Sequence, residues 1–230
     1  MLLEKVIISP MGNQFVMTMD NLQEDYIFDL ALFDENGKCL DLITQDWLIY
    51  SGGSRNPFEF LGADMNTKKI KFVPVHVKDE EEAVVKQKIG QYPIEFETSE
   101  YGKVIVTNIR ITDGRIEIDY KKAGFVMFDP GLEPLDENGE PFSDKIARKC
   151  FRRNVINYGD NSYTAVLEYF NSADAELYYH LDGSTYDVGT GNEIGELVTA
   201  DALKNAFYQI GFSRQNIWLD YDNAITVDLK

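Results

Sequence analysis

Short apolar runs separated by turn-forming clusters recur along nearly the whole chain, and this rhythm constrains the fold more than any other feature. Residues 4–9, 14–19 and 26–33 are rich in Val, Ile, Phe, Tyr and Met. They are separated by Pro10-Met11-Gly12-Asn13 and by a polar stretch from Asp20 to Asp25. Runs of this length bounded by Gly, Pro, Asn and Asp read as β-strands. Asp34-Glu35-Asn36-Gly37 comes next, and its Asn-Gly pair readily takes the positive φ angles of a tight hairpin, so residues 39–43 are the returning strand. Residues 47–50, 58–61 and 69–77 complete the set, and about seven short strands in so short a stretch predict a β-sandwich over residues 1–80.

The stretch from Lys78 to Lys88 is highly charged, with Ala83-Val84-Val85 as its apolar break, and residues 81–90 read as a linker or an edge strand. Beyond Gly90 the strand pattern restarts, which places a second unit at residues 91–230. Residues 92–97 and 103–112 lead to the Asp113-Gly114 turn, and Arg115 to Tyr120 returns with Ile116, Ile118 and Tyr120 alternating. Asp-Glu-Asn-Gly then recurs at 136–139, after two paired strands, as it does at 34–37. A repeated order of strands around a repeated turn predicts two tandem domains of one plan, the second enlarged. One continuous sandwich with two similar hairpins is the alternative. Within the second unit Leu203, Ala206, Phe207 and Ile210 have the spacing of one helix face, with Thr199 as cap and Gly211 as stop, which predicts a short helix near 200–210. Residues 217–221 and 224–229 read as a last strand pair, docking the C-terminus in a sheet.

Charge narrows the partners. The chain carries 22 Lys and Arg against 39 Asp and Glu, a net −17, which repels a nucleic-acid backbone and an anionic membrane surface alike. The first residues lack the basic region and apolar run of a signal peptide, and no stretch approaches the length needed to span a bilayer. The abrupt start of a strand at Val6 suits a segment cut from a longer membrane protein. The two cysteines, Cys39 and Cys150, fall in different units and do not suggest a disulfide framework.

Residue types commit to no catalytic chemistry. The only histidines, His76 and His180, lie in strand-like runs, which leaves an activated Ser or Cys without an evident base. The four Cys and His side chains lack zinc-site spacing, and Gly189-Thr190-Gly191-Asn192-Glu193-Ile194-Gly195 fits neither a dinucleotide fingerprint nor a phosphate loop. No cofactor is expected. Asp182 with Glu193, and Asp220 with Asp222, offer oxygen ligands that calcium can use, although ordinary polar turns explain them as well. A glycosidase needs only two carboxylates at the right separation, and Trp47, Tyr50, Tyr178, Tyr179 and Trp218 have the ring faces on which sugars stack. Filling the cores is their other use. Lys145, Arg148, Lys149, Arg152 and Arg153 form the one basic cluster, read either as a contact for an acidic ligand or partner or as a face paired with the protein's own carboxylates.

Val6-Ile7-Ile8-Ser9-Pro10-Met11-Gly12, Phe33-Asp34-Glu35-Asn36-Gly37 and Lys69-Ile70-Lys71-Phe72-Val73-Pro74-Val75 resemble the immunoglobulin-like extracytoplasmic region of anti-sigma-factor-like membrane proteins of Gram-positive bacteria. Tyr101-Gly102-Lys103-Val104-Ile105-Val106 and Leu135-Asp136-Glu137-Asn138-Gly139 resemble that region's second domain. The resemblance covers most of residues 1–142 and the final strands, and residues 143–215 have no counterpart in it. It implies two tandem immunoglobulin-like β-sandwich domains on the cell-surface side of a membrane, held by a tether absent from this chain. It supplies no catalytic residues. The expected function is therefore non-enzymatic: binding or sensing of a protein or envelope component by the outer part of a sigma-factor regulator. A carbohydrate-binding or carbohydrate-active module and a structural spacer are the alternatives.

Overall fold

The computed structural model describes residues 2–18, 29–43, 56–77, 83–127, 129–141, 150–159, 161–171, 196–214 and 216–229. These residues are mainly β. The sequence expectations at 47–50, at Tyr178 to Leu181 and in the glycine-rich stretch 189–195 lie outside them.

The first unit contains β1 (Leu2–Ser9), β2 (Gly12–Thr18), β3 (Asp29–Asp34), β4 (Cys39–Leu42), β5 (Asn56–Leu61) and β6 (Lys69–Val77). All pairs are antiparallel, in the spatial order β1-β2-β5-β4-β3-β6. β4 is the corner strand, because Cys39 and Leu40 pair with β3 while Asp41 and Leu42 pair with β5. The ladder must curl there. Phe15 on β2 and Phe72 on β6 are far apart along the ladder, yet their rings meet edge to face at 5.0 Å. Around them Met17, Leu30, Leu32, Leu40, Phe60 and Ile70 fill one core, each supplied by the strand alternation that turns every second side chain inward.

The second unit contains β7 (Ala83–Lys88), β8 (Ile94–Ser99), β9 (Gly102–Thr112), β10 (Arg115–Gly124), β11 (Glu133–Leu135), β12 (Cys150–Asn157), β13 (Ser162–Asn171), β14 (Glu196–Leu197), helix α1 (Ala200–Ala206) and β15 (Gln209–Arg214). One sheet has the order β12-β13-β10-β9-β8, with β14 added to β13, and a smaller sheet has the order β11-β15-β7. Apolar side chains of both sheets and of α1 form one core, in which Phe96 and Phe212 meet edge to face at 5.6 Å. The charged stretch 81–90 thus supplies a strand, β7, which pairs with β15.

The helix starts as expected and ends early. Thr199 caps it, its hydroxyl accepting from the Ala202 N–H, but the helix stops at Ala206 and Phe207 is its C-cap. Ile210 and Gly211 belong to β15, whose alternation buries Ile210 and Phe212 between its two neighbours. Leu203, Phe207 and Ile210 fit a helical period, but Ile210 and Phe212 also fit a period of two, and pairing on both sides of β15 decides between them.

The last strands, β16 (Ile217–Leu219) and β17 (Ile225–Asp228), both pair with β6. The chain returns to the first sheet after completing the second core, so position in sequence and membership of a sheet part company at Ile217.

The two Asp-Glu-Asn-Gly turns adopt one hydrogen-bond pattern. Asp34 Oδ1 accepts from the N–H groups of Asn36 and Lys38, and Asp136 Oδ1 accepts from those of Asn138 and Glu140. In each, the Asp N–H donates to the carbonyl four residues on and the glycine N–H donates back to the Asp carbonyl. Gly37 and Gly139 sit at φ 77° and 78°. The aspartate oxygen satisfies the turn's N–H groups, and only glycine takes that φ without strain.

Gly102 and Gly124 face each other where β9 begins and β10 ends. A Cβ on Gly124 would lie 2.1 Å from the Tyr101 carbonyl oxygen, and one on Gly102 would lie 2.1 Å from that of Phe125. Gly124 also holds φ 76°. This close approach sets Tyr101 and Phe125 against the first unit. Gly124→Ala is expected to cost at least about 1 kcal/mol through φ strain and backbone clash together, read as a fall in the thermal midpoint.

Candidate functional site

Where the two units meet, Ala31, Val73, Val75, Ile217 and Leu219 from the first sheet pack with Phe125 in a third apolar cluster. Alternation on β4 decides what joins them. Leu40 and Leu42 point into the first core, so Cys39 and Asp41 point the other way, onto the seam. On β10, Ile116, Ile118 and Tyr120 point into the second core, and two residues on the same register carries Lys122 inward as well.

Asp41 and Lys122 meet across the seam. Lys122 Nζ lies 2.9 Å from Asp41 Oδ1, with the side chains 4% and 8% exposed. Asp41 Oδ2 accepts from the Tyr163 hydroxyl at 2.5 Å and from Asn157 Nδ2 at 3.1 Å. The Lys122 ammonium also sits 4.4 Å from the centre of the Tyr163 ring, which in turn stacks on Tyr120. A charge buried this deeply is tolerated only with a counter-charge and hydrogen bonds, and both are present. Burial pulls the Lys122 pKa down and Asp41 works against that shift. Burial, with help from Asp41, pushes the neighbouring Cys39 thiol up to about 12, so this free cysteine holds its proton at neutral pH.

Beside the seam lies a cleft of about 190 Å³, bounded by Ser99 at the end of β8, by Phe125, Met127 and Gly131, and by Phe212 and Ile217. Its polar wall is Asp129. Arg153 on β12 grips both carboxylate oxygens of Asp129 and donates through Nη1 to the Leu132 carbonyl at 2.7 Å, fixing the segment 129–132. Of the basic cluster in the sequence, Arg153 therefore pairs with the protein's own carboxylate. Arg152 lies on β12, and Lys145, Arg148 and Lys149 lie outside the described residues.

The acidic candidates divide the same way. Asp182 and Glu193 lie outside the described residues. Asp220 Oδ1 accepts from the Asn223 N–H at 3.1 Å and Oδ2 from Asn223 Nδ2 at 2.7 Å, the arrangement of a polar turn. The Asn223 side chain holds the Asp220 carboxyl below its usual range. His76 Nε2 is 3.6 Å from the same carboxylate, and Asp222 is exposed in the turn. Among the described residues no three Asp, Glu, His or Cys side chains gather as metal ligands. Of the aromatic candidates, Trp218 stacks on His76 at 4.5 Å and is 37% exposed, while Trp47, Tyr50, Tyr178 and Tyr179 lie outside the described residues.

The outer face of β9 and β10 carries an ionic ladder. Arg110 pairs with Glu117 and with both oxygens of Asp119, and Arg115 also pairs with Glu117. Partial burial works against ionisation of both acids. For Glu117 the bonds from Arg110 and Arg115 win, and for Asp119 those from Arg110 and Thr164 win, so both pKa values fall. A carboxylate with a lowered folded pKa stabilises the fold above its unfolded value of about 4 and loses that contribution as pH falls through the folded value. Arg110→Met is expected to destabilise by up to about 1 kcal/mol at pH 7, since Arg110 is half exposed and the pairs are screened. The difference from wild type should shrink below about pH 4, as urea titrations at the two pH values would show.

Comparison with protein-family models, with curated proteins and with solved structures finds no match to this chain.

Proposed function

We propose that this chain is a non-enzymatic binding or sensing module, made of two immunoglobulin-like β-sandwich units locked at their seam. The observation that carries this reading is the cleft beside that seam, which is lined by Phe125, Phe212 and Ile217 together with Asp129 and Ser99. Such a mixture of apolar surface and few polar groups suits recognition of a small group on a larger partner. The matching Asp-Glu-Asn-Gly turns are a local likeness between the two units, within sheets of different strand order. The resemblance to anti-sigma-factor-like proteins extends the proposal to the outer part of a membrane-anchored regulator that reads a protein or envelope component. A net charge of −17 favours neutral or cationic features in that component.

The test is an amide chemical-shift titration of the chain with soluble peptidoglycan fragments. Shifts confined to residues around Thr98, Phe125 and Phe212, abolished by Ile217→Arg, support the proposal. Shifts elsewhere, or none at saturating fragment concentration, overturn the cleft as the recognition site for an envelope component.

A second reading has its own observation. Trp218 stacks on His76 and is 37% exposed, and an exposed indole suits stacking against a sugar ring. Quenching of Trp218 fluorescence by oligosaccharides, lost in Trp218→Ala, would favour a carbohydrate-binding module over the cleft. The cleft itself weighs against a plain spacer.

A further inference from the structure

We propose that Lys122 and Asp41 become joined by an intramolecular amide bond between Nζ and Cγ, with release of one water, welding the two units covalently. The geometry assigns each atom a part. Lys122 Nζ lies 2.9 Å from Asp41 Oδ1, close enough to hand a proton to that oxygen. Two donors converge on the other oxygen, Oδ2: the Tyr163 hydroxyl at 2.5 Å and Asn157 Nδ2 at 3.1 Å. Donors placed on one carboxyl oxygen polarise the carbonyl and stabilise the negative charge that gathers there when a nucleophile adds to the carbon.

The step balances without any co-reactant. A proton passes from the ammonium to Oδ1, giving a neutral amine beside a neutral carboxylic acid. Nζ adds to Cγ, and the electron pair of the carbonyl moves to Oδ2, held by Tyr163 and Asn157. Oδ1 then leaves as water, carrying its first proton and a second one from nitrogen, and the pair on Oδ2 reforms the carbonyl. The products are one secondary amide and one water.

Three features of the site favour the forward direction. Burial disfavours the charged form of Lys122, which raises the share of the neutral nucleophile. Both side chains are nearly sealed from solvent, so released water leaves a site that does not readily readmit it. The product replaces two buried charges with a neutral group that Tyr163 and Asn157 still hydrogen-bond. Folding itself supplies the proximity, since the partners are 81 residues apart in sequence and are brought together only when both units have formed. Lys122 Nζ also lies 4.4 Å from the centre of the Tyr163 ring, whose hydroxyl holds Asp41 Oδ2.

The experiment is mass spectrometry of the purified, denatured full chain, intact and after trypsin. The expected intact mass is lower than the sequence mass by one water. The digest should contain a branched species that joins the peptide beginning at Cys39 to one in which Lys122 has escaped cleavage. Asp41→Ala and Lys122→Arg should each restore the full mass, and should one variant fail to fold the wild-type peptide map decides alone. Wild-type chain at full sequence mass overturns the proposal, as does a water loss that maps to peptides lacking Asp41 and Lys122.

Discussion

Phe15→Ala is expected to remove about 3–5 kcal/mol of stability. Phe15 is fully buried, stacks on Phe58 at 5.0 Å, meets Phe72 edge to face at 5.0 Å and lies 6.1 Å from Phe60. Its ring is therefore the contact between the β2–β5 side of the curled ladder and β6. Alanine leaves a void lined by three phenyl rings that are themselves held by backbone pairing and cannot collapse onto it. Urea titration should show the midpoint falling while the slope is retained. Phe15→Leu should recover most of the loss, because volume and not ring chemistry dominates.

At the seam, removing one member of the Asp41–Lys122 pair is expected to cost about 3–5 kcal/mol. Lys122→Met leaves a carboxylate buried against Tyr163 and Asn157 without its cation, and Asp41→Ala leaves the lysine without this counter-charge over the Tyr163 ring. Asp41→Leu combined with Lys122→Met should cost less than either single change, since no buried charge then lacks its partner. The same order holds whether the two side chains remain an ion pair or are joined as an amide, because both forms depend on both residues. A double-mutant cycle by urea titration measures it.

Much of this was legible along the chain. The strands of the first unit follow from alternation of Phe15 with Met17 and of Ile70 with Phe72, and the paired Asp-Glu-Asn-Gly turns follow from what aspartate and glycine do in a tight loop. The end of α1 was not, because Phe207, Ile210 and Phe212 satisfy two periods at once and only the neighbours of β15 choose. The seam was harder still. Lys122 continues the register of Ile116, Ile118 and Tyr120, so a charged residue at an inward position was there to be noticed. Its partner was not identifiable among 39 acids, since the pairing depends on β4 turning a corner and on a chain that returns to β6 through β16 and β17. Local pattern locates strands, whereas contacts of this separation are set by topology.

The two units are expected to behave as one body, fastened by the buried pair and by the return of the last strands to the first sheet. Differential scanning calorimetry of the intact chain tests this directly. One cooperative transition, with calorimetric and van't Hoff enthalpies in agreement, is expected for wild type, and Asp41→Ala should broaden or divide it. Two separate transitions in the wild-type chain would show that the units unfold independently and are not fastened at the seam.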